Sequence, residues 1–277
     1  MYDFYLGAPE EVEADPTRYL LGIKRMLPRW ANSLPDSEFV TLIEFMERFV
    51  PKEGPVFVET GVGATTILFA HYAMARGGRV ISWDTNGSKA SFIRSVCADT
   101  LDQIHGKATA AHWTFVSSMS TADHTGMGII GELTDRIDLT HHDSDHTWRT
   151  VGDEVQATLP YLSDGAIVCV DDANQVFEHT YEPIVNMTRR KLGLPPIGPV
   201  EGNTGAPLIT RVPELLDGWF DDVEEIAESF REKLHDDLYY NWYALDRKSM
   251  SDVGMERFAH LADRFAAWRV KNRTRAS

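Results

Sequence analysis

The stretch 55-PVFVETGVGATTILFAHYAMARGGRVISWDT-85 changes texture three times. It opens as a short apolar run, 55-PVFVET-60, and turns at two glycines. It continues as 64-ATTILFAHYAMARG-77, a helical stretch, and then becomes strand-like again in 79-RVISWDT-85. Strand, glycine turn, helix and strand make one βαβ unit. The alternation carries on downstream. Ser88 to Ile104 have a helical pattern, and 112-HWTFVS-117 and 136-RIDLTHHD-143 look like strands. Then come a helix, 149-RTVGDEVQATLPYL-162, with Val151, Val155, Leu159 and Leu162 on one face, and a strand, 166-AIVCVDD-172. Five apolar strands separated by helices predict a doubly wound, mainly parallel α/β sheet with right-handed crossovers.

The flanks read differently. Tyr19, Leu20, Ile23, Met26, Leu27 and Trp30 follow helical spacing, and 36-DSEFVTLIEFMERFV-50 opens on a capping aspartate. Residues 1–50 are therefore expected to form an N-terminal helical lid, and residues 51–250 the α/β domain. After Asn174 the pattern loosens, and 193–207 read as a long loop. The segments 208-LITRV-212 and 239-YYNWYAL-245 are expected as late strands flanking an acidic helix over 217–234. Residues 251–277 are expected as a C-terminal amphipathic helix with Phe258, Leu261, Phe265 and Trp268 on one side. Its role would be packing or self-association into a homo-oligomer.

The bulk numbers exclude some partners. The 277 residues carry a net charge of −15, which argues against nucleic acid or an anionic membrane. The basic segment 269-RVKNRTRAS-277 reads as a solvated helix end. No apolar run is long enough to span a bilayer. Cys97 and Cys169 sit in apolar surroundings and are expected to be reduced. The acidic start lacks the pattern of a signal peptide, so the expected compartment is the cytoplasm.

In open α/β sheets ligands bind beyond the carboxyl ends of the strands. The first strand ends in Glu59-Thr60-Gly61-Val62-Gly63, where glycines let a ligand approach the backbone. The second ends in Asp84, roughly 20 residues on, where an acid can hold both ribose hydroxyls of a nucleotide. Position 66 is Thr, not the third glycine of G-x-G-x-x-G, which favours a nucleoside without phosphates. The fourth strand ends in Asp143, inside the dense run 140-THHDSDHTW-148, and the fifth ends in Asp171-Asp172. Carboxylates converging there would repel one another unless a divalent cation neutralised them. All-oxygen ligation favours Mg²⁺, Mn²⁺ or Ca²⁺ over zinc.

These motifs resemble a class I S-adenosylmethionine-dependent methyltransferase. They are similar, more narrowly, to the metal-dependent O-methyltransferases of the macrocin, mycinamicin and novobiocin tailoring type. The resemblance covers about residues 55–175. It rests on E-T-G-V-G, the acid at 84, Asp143-Ser144-Asp145-His146-Thr147-Trp148, Ser163-Asp164-Gly165 and Ile167-Val168-Cys169-Val170-Asp171-Asp172. It implies that Asp143, Asp171 and Asp172 hold the metal, with Asp143 also near the cofactor. Glu59, Gly61, Gly63 and Asp84 would bind S-adenosylmethionine, with Ser117 or Ser118 near its adenine. His146 would be the general base, with Asp145 as competitor. Ser144 stands where the family has glycine, which would cost strain if the backbone there is left-handed.

The chemistry agrees with this resemblance. Methyl transfer from a sulfonium to an oxygen needs alignment and loss of the acceptor's proton. A metal on the acceptor lowers its hydroxyl pKa, and a histidine with an ordinary pKa near ~6.5 can take the proton. The expected partner is a small-molecule hydroxyl: a secondary-metabolite sugar, a glycan unit or a catechol-like ring. Trp30, Trp148, Trp219 and Trp242 are candidates to line its pocket, with core packing as the alternative. His141 is read as structural, and His142 is left open. Three other readings compete. One is a metallo-hydrolase using the 141–146 His/Asp cluster with zinc, and another is an NAD-dependent oxidoreductase on the same glycine turn. The third is a non-catalytic nucleoside-binding protein.

Overall fold

The computed structural model describes residues 9–32, 34, 36–118, 126–144, 146–173, 193, 207–227 and 265–274. The expected strand at 239–245 and the loop at 194–206 lie outside them, as does Asp145.

Among the described residues the first helices are α1 (Pro9–Ala14), α2 (Pro16–Met26) and α3 (Asp36–Arg48). The sheet domain then runs β1 (Val56–Thr60), α4 (Ala64–Arg76), β2 (Arg79–Asp84), α5 (Gly87–Asp99), α6 (Leu101–His105) and β3 (Trp113–Ser117). It continues with α7 (Ile130–Leu133), β4 (Ile137–His142), α8 (Trp148–Thr158) and β5 (Leu162–Val170). The last described elements are α9 (Leu208–Asp217), β6 (Phe220–Glu225) and β7 (Ala266–Arg273).

The strands form one sheet in the order β3-β2-β1-β4-β5-β7-β6. The first five are mutually parallel, and β7 runs antiparallel to both β5 and β6. Strand order reverses beside β1, between β2 and β4, so the crevice for a ligand opens at the ends of β1 and β4. Alternate side chains of each inner strand enter opposite cores. Phe57, Val80 and Ile167 face one, and Val58, Ile81 and Val168 face the other. Both faces are covered, which explains why β1 and β4 are buried at every position.

The N-terminal helices belong to the first core. Leu20, Ile23, Phe39, Leu42, Phe45 and Met46 are buried with Leu68 and Phe69 of α4. Asp36, expected as a cap, is the first residue of α3. Its carboxylate is fully buried and binds Lys24 Nζ at 2.8 Å and Arg25 Nε at 2.8 Å, which clamps α3 to α2. Asn32 Nδ2 also donates to the Lys24 carbonyl at 2.9 Å.

Three expectations at the C-terminal side are corrected. The 208–212 segment is helix α9, whose buried Leu208, Val212 and Leu216 recur every fourth residue. The expected acidic helix over 217–234 gives way to β6 at 220–225. Residues 266–273, expected in the terminal amphipathic helix, are strand β7. Pairing across the sheet decided β6 and β7 against their local spacing, whereas α9 buries one apolar stripe as a helix. β7 fills the gap between β5 and β6, burying Ala266, Ala267, Trp268 and Val270. Acidic β6 becomes tolerable at the edge because Lys271 lies opposite Asp222, 3.6 Å away, and 3.7 Å from Glu224. The basic 269–273 segment is therefore strand, not a helix end.

Candidate active site

The glycine turn after β1 is held from below. Glu59 is fully buried and accepts hydrogen bonds from Thr65 Oγ1 (2.8 Å), Thr66 Oγ1 (2.5 Å) and Ser82 Oγ (2.6 Å). Burial raises its pKa to about 7, against the three hydroxyls, which favour the anion. Both its oxygens are engaged within the protein, so Glu59 braces the turn instead of facing the crevice. Thr66, in place of a third glycine, also accepts from the Gly63 N–H at 3.0 Å.

Gly61 has φ +88°, a left-handed conformation that glycine adopts without cost. A Cβ there would stand 2.3 Å from the Asp143 carbonyl oxygen, so the end of β4 touches the turn directly. A Cβ on Gly63 would lie 3.3 Å from the Ala31 carbonyl oxygen, which brings the segment before α3 against the same turn. Asp84 sits at the rim. It accepts from Val62 N at 2.9 Å and Asn86 N at 2.7 Å, and its sheet neighbour is Ser117. Ser117 is exposed and Ser118 half-buried. Trp30, 55% exposed, packs on Phe92 of α5 with ring centroids 4.9 Å apart.

The ends of β4 and β5 meet as the parallel register requires. The Asp171 N–H donates to the His142 carbonyl at 3.0 Å, and the Asp143 N–H lies 3.2 Å from both Thr60 oxygens. Donor atoms of Asp143, His146 and Asp171 all lie within 4.8 Å of one another. His146 Nε2 is 3.5 Å from Asp143 Oδ1 and 3.9 Å from Asp172 Oδ2, and its Nδ1 faces the Asp171 carbonyl oxygen at 3.4 Å. The expected aspartates thus gather around the imidazole. His146 (φ 56°) and Asp172 (φ 51°) are left-handed, a conformation that strains residues with side chains. Ser144 is not left-handed, so the strain foreseen for it falls on these two instead.

The electrostatics of this cluster are extreme. Burial, then Asp143 and Asp172, push Asp171 up to about 8. Burial lowers the His146 pKa, but Asp171, Asp143 and Asp172 outweigh it and leave it raised. One further member was not foreseen. Glu38, on the first turn of α3, is buried. Burial, followed by Asp171, Asp172 and Asp143, holds its carboxyl well above the usual range. An acid in a first helical turn ordinarily serves the helix dipole, so nothing in its sequence context singled it out.

The other two histidines of the run point elsewhere. His141 is fully buried between Phe69 and Phe265, and burial pushes its pKa down to about 4. His142 Nδ1 lies 3.0 Å from Glu154 Oε2, which also accepts from Thr60 Oγ1 at 2.9 Å. Glu154, a second residue missed in the sequence, thereby links α8 to the ends of β1 and β4. Of the three histidines of the run, His146 alone stands at the acidic cluster, so the histidines do not converge as zinc ligands.

Residues 58–173 match a family model described as a methyltransferase domain. The fold is that of the class I methyltransferases. No curated protein matches the chain. Similar solved structures include CalS11, a TDP-rhamnose 3'-O-methyltransferase of calicheamicin biosynthesis, at 20% identity over 67% of this chain and 86% of that one, TM-score 0.41. The O-methyltransferase from Bacillus cereus is 17% identical over 82% and 91%, TM-score 0.43. The geranyl diphosphate C-methyltransferase from Streptomyces coelicolor A3(2) is 13% identical over 98% and 88%, TM-score 0.45. Among the described residues no helix is long and apolar enough to cross a membrane.

Proposed function

We propose that the chain is a methyltransferase that moves a methyl group from S-adenosylmethionine to a hydroxyl of a small molecule, with a divalent cation at the acidic cluster. The observation that carries this reading is the abutment of two sites. The Gly61 turn and the Asp143–His146–Asp171 cluster share a backbone contact, so a nucleoside over the turn lies beside the acids. When bound, the cofactor supplies a sulfonium methyl group, and the cation acidifies a coordinated hydroxyl.

The protein's own residues do the rest. Gly61 and Gly63 let the cofactor approach the backbone, and Asp84, braced by Val62 and Asn86, offers its carboxylate to the ribose. Ser117 or Ser118, beside Asp84 at the end of β3, would border the adenine. Asp143, Asp171 and Asp172 are hard oxygen donors suited to Mg²⁺, Mn²⁺ or Ca²⁺. The crowding of acids that pushes Asp171 up to about 8 supports a cation there, because so many carboxylates cannot ionise together without one. His146 takes the acceptor's proton on its imidazole. The aspartates pull that ring toward its charged form, and positive charge held on them counters the pull. Asp145 remains the competing base.

Calorimetric titration with S-adenosylmethionine, with and without Mg²⁺, tests the reading. Micromolar-range binding is expected, and absence of binding under both conditions sinks it. In His146→Ala, methyl transfer should fall at least ~100-fold while cofactor affinity stays within about twofold. Unchanged turnover would remove His146 from the chemistry.

A further inference from the structure

Helix α8 packs on the sheet through Val151 and Val155, and Glu154 is buried on the same side. Taking a carboxyl group out of water is costly unless its oxygens are hydrogen-bonded. Glu154 Oε2 accepts from Thr60 Oγ1 at 2.9 Å and faces His142 Nδ1 at 3.0 Å. Thr60 and His142 are register partners at the last positions of β1 and β4. Thr60 therefore immediately precedes Gly61, and His142 immediately precedes Asp143. The contacts continue from both residues. Thr60 Oγ1, its proton directed at Glu154, stands 3.2 Å from the Asp143 N–H. The His142 carbonyl accepts the Asp171 N–H at 3.0 Å. One buried oxygen thus reaches the start of the glycine turn, Asp143 and Asp171 in two or three steps each. The same helix is capped by Thr147, next to His146.

We infer that Glu154 is a positioning residue that fixes the cofactor turn and the acids of the cation site relative to each other. The inference rests on the function proposed above. Glu154 touches neither ligand, and it acts through Thr60 and His142. Packing alone would be served by an apolar side chain of similar volume, without the cost of desolvating a carboxyl group. What the carboxylate adds is direction. It fixes the Thr60 hydroxyl so that a lone pair meets the Asp143 N–H, and it fixes the His142 ring at the end of β4. Methyl transfer depends on alignment, and a misplacement of about 1 Å can cost roughly 100-fold in rate. The consequence is that losing Glu154 weakens the turn and the acids together, although they hold different ligands.

The test measures two affinities of the full chain by calorimetry, for Mn²⁺ alone and for S-adenosylmethionine alone. Glu154→Met keeps the volume and removes the acceptor. Thr60→Val removes the hydroxyl that links Glu154 to Asp143, and Thr60→Ser keeps it. Both affinities should fall at least about tenfold in Glu154→Met and in Thr60→Val, the loss typical of an outer-shell partner of a metal ligand. Thr60→Ser should restore both to within about twofold of wild type. Val151→Ala loosens the packing of the same helix and should lower the melting temperature while leaving both affinities unchanged. Either affinity staying within about twofold of wild type in Glu154→Met or Thr60→Val overturns the inference and leaves the proposed function standing. So does a loss in Val151→Ala as large as that in Glu154→Met, because support of the helix would then explain it. Failure of wild type to bind Mn²⁺ overturns the cation site and this inference together, and failure to bind S-adenosylmethionine with or without Mn²⁺ overturns the proposed function as well.

Discussion

Glu59 is a buried acid whose cost can be measured. Its pKa is raised by burial from the ordinary 4.5 to about 7, against the pull of three hydroxyl donors. Between those two pH values the folded protein keeps a proton that the unfolded chain has released. The native state then binds more protons, so stability falls as pH rises. Stability from this group is fully present below pH 4.5 and is lost as pH passes about 7. At about 1.4 kcal/mol per pH unit, the interval amounts to about 3 kcal/mol. Glu59→Gln keeps the shape and removes the titration. The assay is urea unfolding of both proteins in steps from pH 4 to pH 8, with chelator present to keep metal linkage out of the comparison. The difference between variant and wild type isolates Glu59 from Asp171 and Glu38, which titrate in both. That difference should move by about 3 kcal/mol in favour of Glu59→Gln across the range. A constant offset at every pH would show that Glu59 is not the buried, proton-holding brace described above.

Two other perturbations follow from contacts in the structure. Gly61→Ala combines a left-handed backbone with a Cβ 2.3 Å from the Asp143 carbonyl oxygen, and should destabilise the fold by about 2–5 kcal/mol and abolish cofactor binding. Thermal melts and cofactor calorimetry check it, and normal values for both would contradict the close approach. Asp36→Asn leaves the buried Lys24 ammonium without its carboxylate and should cost about 3–5 kcal/mol in denaturant unfolding. A change under ~1 kcal/mol would mean that the α2–α3 clamp contributes little.

The turn at 59–63 and the strand ends at 84, 143 and 171 were legible because they are local. A strand, a glycine turn and a helix write themselves in adjacent residues, and the parallel register then places neighbouring strand ends side by side. That logic put Asp143 next to Asp171 without coordinates. Within the 141–146 run it read His141 as structural but left His142 open. The sheet turns His141 into an aromatic box and His142 toward Glu154, and only His146 faces the acids.

What only the tertiary structure decided is what depends on distant partners. Strand β7 has the apolar spacing of a helix, and becomes a strand because β5 and β6 leave a gap for it. Glu38 looks like any acid at a helix start, and only the packing of the folded chain buries it. Pairing in a sheet and desolvation of a carboxyl are set by groups far away in the chain. A sequence window records residue type and spacing, so it carries the parallel α/β core and not the neighbours that make an ordinary acid exceptional.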